Sequence, residues 1–330
     1  MKVAVVGAGA WGTALADVLA RNGHSTTLWA LETDVAESIV RGHVNSRFLP
    51  GRQLHPALSA TTDLERALAG AGMVTFVTPS HVLRKVARST RDFLLPDALL
   101  VVASKGIERS SLRIMTDVVE EELPGHRLAA LSGPSFAAEV ADRQPTAIVA
   151  AAVEQASALD VQAAFSNEYL RVYTHDDVVG VELGGSLKNV MAVATGIGEG
   201  LGLGHNSRAA LITRGLAEMT RLGVALGAQP GTFAGLAGMG DLVLTCTGAL
   251  SRNRSLGLEV GKGASLESVL AGRETVAEGV VTTESAYELA RREGVDMPIV
   301  EAVHRVLFEG GSPRQAIADL MSRDLRAEQD

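Results

Sequence analysis

Three glycines near the start of the chain have the spacing of a dinucleotide-binding turn. Gly7, Gly9 and Gly12 follow the β-type run Val3–Val6 and lead directly into a sequence with helical periodicity. In this context the first glycine permits a tight turn, the second allows backbone to approach a pyrophosphate, and the third lets helix pack on strand. The helix N-terminus offers N–H groups and partial positive charge to the phosphates. The pattern predicts a bound dinucleotide.

An acidic residue stands where dinucleotide-binding folds contact the ribose. Glu32 comes twenty residues after Gly12, just past a second predicted strand, Thr26–Trp29. A carboxylate there accepts a hydrogen bond from the 2′-OH of NAD and repels the 2′-phosphate of NADP. The neighbouring Leu31 supplies no arginine to bind that phosphate, so these residues favour NAD. The alternative interpretation of Glu32 is a solvated loop carboxylate.

Polar residues follow two later predicted strands. Lys105 comes after Ala98–Ala103, and the loop Ser132–Ser135 comes after Leu128–Leu131. Ligands of parallel sheets bind beyond the carboxyl ends of the strands, so both segments are candidates for a site. A lone lysine in a loop is also typical of an ordinary surface residue.

Lys188 lies in a predicted helix, Val181–Thr195, that is rich in Val, Leu, Met, Ala and Gly. An ammonium group buried there would have a lowered pKa and could donate a proton to a developing alkoxide near neutral pH. The alternative is a side chain that runs along the apolar face and keeps its charged end in water. The sequence leaves both interpretations open.

A further polar cluster begins at Asp241 and continues to Thr245 and to the segment Ser251–Arg254. The second part combines a hydroxyl, guanidinium groups and an amide, which are the donors that phosphate recognition requires. Asp241 follows a glycine pair and is equally suited to helix capping. Basic segments on helices also commonly face solvent.

Composition limits the function classes. The 330 residues carry a net charge of −8, and positive residues form no run longer than a pair, which argues against nucleic acid as a partner. No uninterrupted apolar run reaches eighteen residues, so we expect no membrane span. The single cysteine, Cys246, excludes an intramolecular disulfide and fits a cytoplasmic protein. The histidines lack metal-ligand spacing, so no metal is expected.

The order of predicted elements indicates two domains. Up to about Ala152, short apolar strands alternate with helices, which predicts a parallel sheet covered on both faces. From Val178 onward the pattern is helical, with the pair Asp176-Asp177 as a candidate N-cap and glycine-rich breaks between helices at Gly196–Gly204 and Gly235–Gly240. We therefore predict an α/β fold: an N-terminal Rossmann-like, doubly wound domain over residues 1–177 and an all-helical domain over 178–330. Apolar helices of the second domain could form a homodimer interface or belong to the core.

Six sequence blocks, taken in order, resemble the NAD(P)-dependent glycerol-3-phosphate dehydrogenase family of the bacterial type. The resemblance implies reduction of dihydroxyacetone phosphate to sn-glycerol 3-phosphate, a precursor of glycerophospholipids. The blocks are Gly7–Ala16, Leu131–Ala137, Leu187–Ala192, Gly238–Leu242, Ser251–Arg254 and Val276–Gly279.

The resemblance also implies a role for each matching residue. Lys188 would be the proton donor, while Lys105, Asp241 and Thr245 would orient and polarise the C2 oxygen. The substrate would also be held by Gly133, Ser135, Ser251, Arg252 and Asn253. The cofactor would be lined by Trp11, Lys105, Ala137, Arg252, Val276 and Glu278.

Two positions depart from the family pattern. Ala10 stands where serine is common, and Leu31 lies near a common arginine. With Glu32 adjacent, the second departure favours NAD over NADP as the cofactor. A reductase of the 6-phosphogluconate or ketopantoate type shares the layout, and a non-catalytic NAD(H) sensor is a further alternative.

Overall fold

The structure is a computed structural model that describes residues 1–271, 278–325 and 327. Within these residues, apolar runs in the first half of the chain form an eight-stranded sheet and a separate two-stranded ribbon. Central strands are buried on both faces, as expected where helices cover a sheet. The strands are β1 (Lys2–Val6), β2 (Ser25–Trp29), β3 (Val44–Asn45), β4 (Leu49–Gln53), β5 (Ser59–Thr61), β6 (Met73–Phe76), β7 (Leu99–Val102), β8 (Arg127–Ser132), β9 (Thr146–Ala151) and β10 (Leu170–His175).

The strand order is β10-β9-β8-β7-β6-β1-β2-β5. The chain passes from β1 to β2 on one side and later adds β6 on the other side of β1, so the order reverses between β1 and β6. Ligands of open α/β sheets bind at such a reversal, beyond the carboxyl ends of the strands. The segments that follow β1, β6 and β7 therefore lie at the edge where a ligand is expected.

One pair of strands contradicts the expectation of a parallel sheet. β8 and β9 pair antiparallel, whereas the other neighbours in this sheet pair parallel. The connection between them contains only the five-residue helix Ala137–Ala141, whereas parallel strands are usually joined through a longer crossover helix. β9 runs opposite to β8, and β10, which the sequence analysis does not predict, pairs parallel with β9.

Helices cover the sheet and then continue alone, which confirms the predicted fold class. The described residues after β10 contain no strand. We propose to divide the domains between His175, where β10 ends, and Val178, where the next helix begins, giving residues 1–177 and 178–330. The helices are α1 (Ala10–Arg21), α2 (Thr33–Gly42), α3 (Leu64–Leu68), α4 (Ser80–Thr90), α5 (Met115–Glu122), α6 (Ala137–Ala141), α7 (Gln155–Phe165), α8 (Val178–Gly200), α9 (His205–Ala225), α10 (Pro230–Phe233), α11 (Asp241–Thr247), α12 (Arg252–Gly261), α13 (Leu266–Ala271), α14 (Glu278–Glu293), α15 (Pro298–Phe308) and α16 (Pro313–Met321).

α8 is the central helix of the second half. Its N-terminus is capped by Asp177, which accepts a hydrogen bond from the Gly180 N–H at 2.8 Å, as the sequence predicted. The same carboxylate accepts from the Thr232 hydroxyl at 2.5 Å and so ties α8 to α10. Every residue from Gly180 to Gly198 is buried, which is why the helix is almost uniformly apolar.

The predicted break at Gly196–Gly204 does separate two helices, but it starts later than expected, because α8 continues to Gly200 and α9 begins at His205. Gly196 serves a close helix crossing instead. A Cβ on Gly196 would overlap the Arg254 carbonyl oxygen, and a Cβ on Gly257 would overlap that of Val193. α8 and α12 thus approach to backbone contact. At Gly235–Gly240, a π-helical turn (Leu236–Gly240) leads into α11 without a gap.

Among the described residues, no single helix is long and apolar enough to cross a membrane. Two segments bent by 49°, Pro230–Thr247 and Arg252–Gly261, meet that length and composition only when taken together.

Replacing Gly257 by alanine should destabilise the fold, because the new methyl group would meet the backbone of α8. We expect the free energy of unfolding to fall by about 2 kcal/mol, the usual cost of overpacking. Urea denaturation measures this. The control is Gly231→Ala in α10, where a Cβ would have no neighbour within 4 Å and the change should be under about 0.5 kcal/mol. Equal stability of the two variants would contradict the close crossing.

Candidate active site

Two lysines and an aspartate from three separate elements meet at the carboxyl edge of the sheet. Lys105 follows β7, Lys188 lies on α8, and Asp241 is the first residue of α11. Asp241 is completely buried, with 0% exposure. One of its carboxylate oxygens accepts from Lys105 Nζ at 2.6 Å, and the other accepts from Lys188 Nζ. The carboxylate thus bridges two ammonium groups.

Each ammonium group has a second partner in the protein. Lys188 Nζ lies 3.0 Å from the Thr245 hydroxyl, which in turn donates to the Asp241 carbonyl oxygen at 2.7 Å. Lys105 Nζ lies 3.4 Å from the Gly133 carbonyl oxygen. Since an ammonium group has three N–H donors, each lysine retains one donor beyond these contacts for a ligand oxygen.

Lys188 does not extend its charged end into water, so the solvent-facing interpretation of this residue is wrong. The residue is only 8% exposed. Burial lowers the pKa of its ammonium group to about 8, with a further decrease from the charge of Lys105 and an opposing increase from Asp241. A group with this pKa is mostly protonated at neutral pH and can release its proton readily.

The loop Ser132–Ser135 borders the lysine cluster through its backbone. The Gly133 carbonyl oxygen accepts from the Ser135 hydroxyl at 3.1 Å as well as from Lys105. The Ser132 hydroxyl is buried and has no hydrogen-bond partner within the described part of the chain. Two predicted residues, Gly133 and Ser135, therefore lie beside the ammonium groups.

The glycine turn has the geometry that a pyrophosphate requires. Gly7 has a φ of +120°, and a Cβ on Gly12 would overlap the Gly7 carbonyl oxygen. A Cβ on Gly9, by contrast, would have no neighbour within 4 Å, so this face of the turn is open. Gly9 precedes α1, whose first residue is Ala10, and no side chain of the described residues caps this N-terminus. The first-turn N–H groups of α1 are suited to phosphate oxygens.

The residues expected around the rest of the cofactor lie at the same edge of the sheet or next to it. Glu32 directly precedes α2 and makes no side-chain cap to it. Leu31, beside it, is 74% exposed. The Trp11 indole N–H is buried and, as far as the chain is described, has no acceptor. Ala137 begins α6, next to the loop Ser132–Ser135.

In the segment Ser251–Arg254, Ser251 and Asn253 are buried and bonded within the protein, so the segment does not simply face solvent. The Ser251 hydroxyl caps α12 by accepting from the Arg254 N–H at 3.2 Å. The Asn253 amide donates to Asn189 Oδ1 at 2.9 Å and accepts from the Gly279 N–H at 3.0 Å. Arg252 is the exposed residue of the segment beside the cleft.

Glu278 begins α14 and faces the same cluster. Burial raises the pKa of its carboxyl, and the positive charges of Arg252, Lys105, Lys188 and His81 oppose that increase. Through Glu278, α14 is thus electrostatically coupled to both lysines and to Arg252 of α12. Val276 lies outside the described residues.

Three buried polar residues on α8 were missed by the sequence analysis. Glu182 accepts from the Thr116 N–H at 3.1 and 3.2 Å and from its hydroxyl. Ser186 contacts Gly106, and Asn189 pairs with Asn253. The available signal was the occurrence of polar residues in a helix that is apolar on every side.

No group of three or more His, Cys, Asp or Glu side chains in the described ranges could hold a metal ion.

Comparisons with known proteins cover almost the whole chain. Family models for the N-terminus and the C-terminus of NAD-dependent glycerol-3-phosphate dehydrogenase match residues 2–158 and 177–318. A glycerol-3-phosphate dehydrogenase [NAD(P)+] of Citrifermentans bemidjiense is 56% identical over 330 residues, covering 99% of this chain and 98% of the relative. The enzyme of that name from Geobacter sulfurreducens is 57% identical, with the same coverage. A crystal structure of glycerol-3-phosphate dehydrogenase from Coxiella burnetii superposes with a TM-score of 0.94 at 41% identity, covering 98% of this chain and 99% of that one.

Replacing Glu182 by glutamine should remove a pH-dependent loss of stability. Burial raises the pKa of this carboxyl to about 8 from an ordinary value of 4.5. Between these values the folded protein binds a proton that the unfolded chain releases, so this group's contribution is present below pH 4.5 and is lost as the pH rises towards 8. We expect the wild type to lose roughly 2–4 kcal/mol over this range relative to Glu182→Gln.

Urea denaturation at about pH 5.5 and pH 8 measures the difference. The control is Glu120→Gln, which removes an exposed carboxyl from α5 and should keep the wild-type pH dependence. Parallel curves for wild type and Glu182→Gln would contradict the raised pKa.

Proposed function

This chain belongs to the glycerol-3-phosphate dehydrogenase family, and we propose that it reduces dihydroxyacetone phosphate to sn-glycerol 3-phosphate with NADH or NADPH. The observation that carries this function is the buried Asp241 carboxylate bridging Lys105 and Lys188 at the carboxyl edge of the sheet. A glycine turn that is suited to a dinucleotide follows β1 at the same edge of the sheet. A ketone reductase needs this arrangement: a cofactor site beside charged donors for the carbonyl oxygen.

The bound nicotinamide would supply the hydride that attacks the ketone carbon. We assign the proton to Lys188, whose pKa of about 8 suits donation near neutral pH. The free N–H donors of Lys188 and Lys105 would stabilise the negative charge that develops on the C2 oxygen. Asp241 holds both ammonium groups in place, and Thr245 orients Lys188. In the reverse direction Lys188 would accept the proton.

The substrate phosphate needs positive charge away from C2. We assign this role to Arg252, an exposed residue whose charge acts on Glu278, with Ser251 and Asn253 of the same segment. Gly133 and Ser135 would border the rest of the substrate. Binding the phosphate at a remote point helps to position the ketone for reaction.

The cofactor would rest on Gly7, Gly9 and Gly12, with Ala10 and the Trp11 indole at the start of α1. We propose that Glu32 binds the ribose 2′-OH, so that NAD is preferred over NADP. Lys105, Arg252 and Glu278 would border the nicotinamide end. Further cofactor contacts are assigned by resemblance to Leu31, Ala137 and Val276.

Two other functions fit this site less well. A reductase of the 6-phosphogluconate or ketopantoate type would share the two-domain layout, but the family models that match are those of glycerol-3-phosphate dehydrogenase. A non-catalytic NAD(H) sensor would not need two lysines on one buried carboxylate. We further propose that the enzyme works in the cytoplasm, supplies glycerophospholipid synthesis, and uses helices of the second domain if it forms a homodimer.

Removing the Lys188 amine should abolish turnover without releasing the cofactor. With purified protein, dihydroxyacetone phosphate and NADH or NADPH, absorbance at 340 nm should fall for the wild type. In Lys188→Ala we expect kcat to fall roughly 10²–10⁴-fold, the usual contribution of a positioned proton donor. Fluorescence titration should give an NADH Kd within about threefold of the wild type, because the glycine turn is untouched.

The matched control is Lys85→Ala, which removes an exposed lysine of α4 and should leave kcat unchanged. Turnover of Lys188→Ala within tenfold of wild type would remove this residue from the mechanism. A folded wild type that binds NADH but oxidises neither cofactor would overturn the proposed function.

The cofactor preference should depend on residues 31 and 32. We expect the wild type to have a higher kcat/KM with NADH than with NADPH. In the double variant Leu31→Arg, Glu32→Ser, loss of the carboxylate removes its repulsion of the 2′-phosphate, and the new guanidinium can bind that phosphate. The ratio of kcat/KM with NADPH to kcat/KM with NADH should therefore rise tenfold or more. Glu37→Gln, an exposed carboxyl of α2, is the control. A wild type that prefers NADPH tenfold would overturn the role of Glu32.

A further inference from the structure

The segment that carries Lys105 is attached to α8 at two points. The Gly106 N–H donates to the Ser186 hydroxyl oxygen at 2.9 Å. Further along, the Thr116 N–H donates to the Glu182 carboxylate at 3.1 Å. Glu182 and Ser186 are four residues apart, so they lie one above the other on the same face of α8. That helix also carries Lys188.

The Ser186 hydroxyl both accepts and donates a hydrogen bond. Besides accepting from Gly106, the oxygen lies 2.7 Å from the Glu182 carbonyl and 3.1 Å from the Gly106 carbonyl, either of which can take its proton. The side chain is buried, at 1% exposure. Water therefore has no access to replace the hydroxyl, and removing the hydroxyl would leave the buried Gly106 N–H without an acceptor.

The bonded N–H belongs to the peptide unit that joins Lys105 to Gly106. Fixing this unit fixes the direction in which the Lys105 side chain leaves the backbone. Other contacts of the segment, such as Ser104 Oγ to the Thr78 carbonyl at 2.6 Å and Arg84 to Glu108 at 2.7 Å, tie it to its own domain. The contact with Ser186 instead aligns it with the helix of the second lysine.

We propose that Ser186 is a positioning residue: it holds the Lys105–Gly106 peptide on α8, and so keeps the Lys105 ammonium in contact with Asp241 and near Lys188. This inference rests on the proposed function for its kinetic consequence, but its structural part is independent of the reaction. Ser186 touches neither Asp241 nor the ammonium groups directly. Its effect is transmitted through one peptide unit.

The matched comparison is Ser186→Ala against Ser157→Ala. Both serines are 1% exposed and lie on helices, but the Ser157 hydroxyl has no hydrogen-bond partner among the described residues. Both changes remove the same atom from a buried helix face. Only Ser186→Ala releases the peptide beside Lys105.

The first readout is kinetic. In a protein whose wild type reduces dihydroxyacetone phosphate, we expect kcat of Ser186→Ala to fall roughly ten- to a hundredfold, the effect of a small displacement at a reacting centre. Ser157→Ala should stay within twofold of wild type. A kcat of Ser186→Ala within twofold of the control would overturn the proposal.

The pH profile separates positioning from general loosening. The titratable groups that face Lys188 are Asp241, Lys105, Glu278 and Cys246. The Lys105 charge lowers the pKa of Lys188, and Asp241 raises it. When Lys105 moves away, its lowering effect is lost while the increase from Asp241 remains, so the alkaline limb of the kcat profile for reduction should shift to higher pH. A lower kcat with an unshifted limb would also overturn the proposal.

The second readout needs no turnover. Lys105 pairs with Asp241 and has a side chain that is only 14% exposed, whereas Lys85 is exposed. Limited acetylation with acetic anhydride, followed by mass spectrometry, gives the ratio of labelling at Lys105 to labelling at Lys85. We expect this ratio to rise severalfold in Ser186→Ala and to stay unchanged in Ser157→Ala. An unchanged ratio in both would overturn the proposal even if the wild type proved inactive with this substrate.

Discussion

The site depends on one buried carboxylate held between two ammonium groups. An unpaired charge with no solvent exposure costs several kcal/mol, so Asp241 is stable only with Lys105 and Lys188 in place. The converse also holds: the buried Lys188 ammonium keeps its charge only because the Asp241 carboxylate lies beside it. One negative and two positive charges leave an excess positive charge beside the glycine turn. That excess is what a developing alkoxide requires.

Because its three members come from different elements, this cluster constrains the packing of both domains. Asp241 is delivered by the π-helical turn Leu236–Gly240, a type of helix irregularity that is frequent at functional sites. The turn lies very close to α8: a Cβ built on Gly184 would be 3.0 Å from the carbonyl carbon of Ala237. The small residues of α8 therefore permit the approach that brings Asp241 to Lys188. Glycine content here reflects close packing rather than helix breaking.

The sequence predicted what is encoded locally. The glycine turn, the α/β-then-helical order and the Asp177 cap each depend on residues a few positions apart. The burial of Lys188 could not be decided, because a helix that is apolar on every side gives no direction for one charged residue. The start of the break at Gly196 was predicted from propensity, but the close crossing with α12 keeps α8 helical to Gly200. Glu182 and Ser186 find their partners 66 and 80 positions away, a relation that spacing cannot reveal. The direction of β9 depends on its pairing with β8, which a pattern of short apolar strands does not encode.

The charge of the whole chain and the charge of the cleft have opposite signs, and the cleft decides what binds. A net charge of −8 would repel a phosphate ester at long range. At the site, Lys105, Lys188 and Arg252 carry positive charge near Asp241 and Glu278, and burial raises the pKa of Glu278 against these charges. An incoming phosphate or pyrophosphate would raise that pKa further, since a second negative charge favours the protonated carboxyl. Proton uptake by Glu278 would therefore offset part of the negative charge that an anion brings to the lysines.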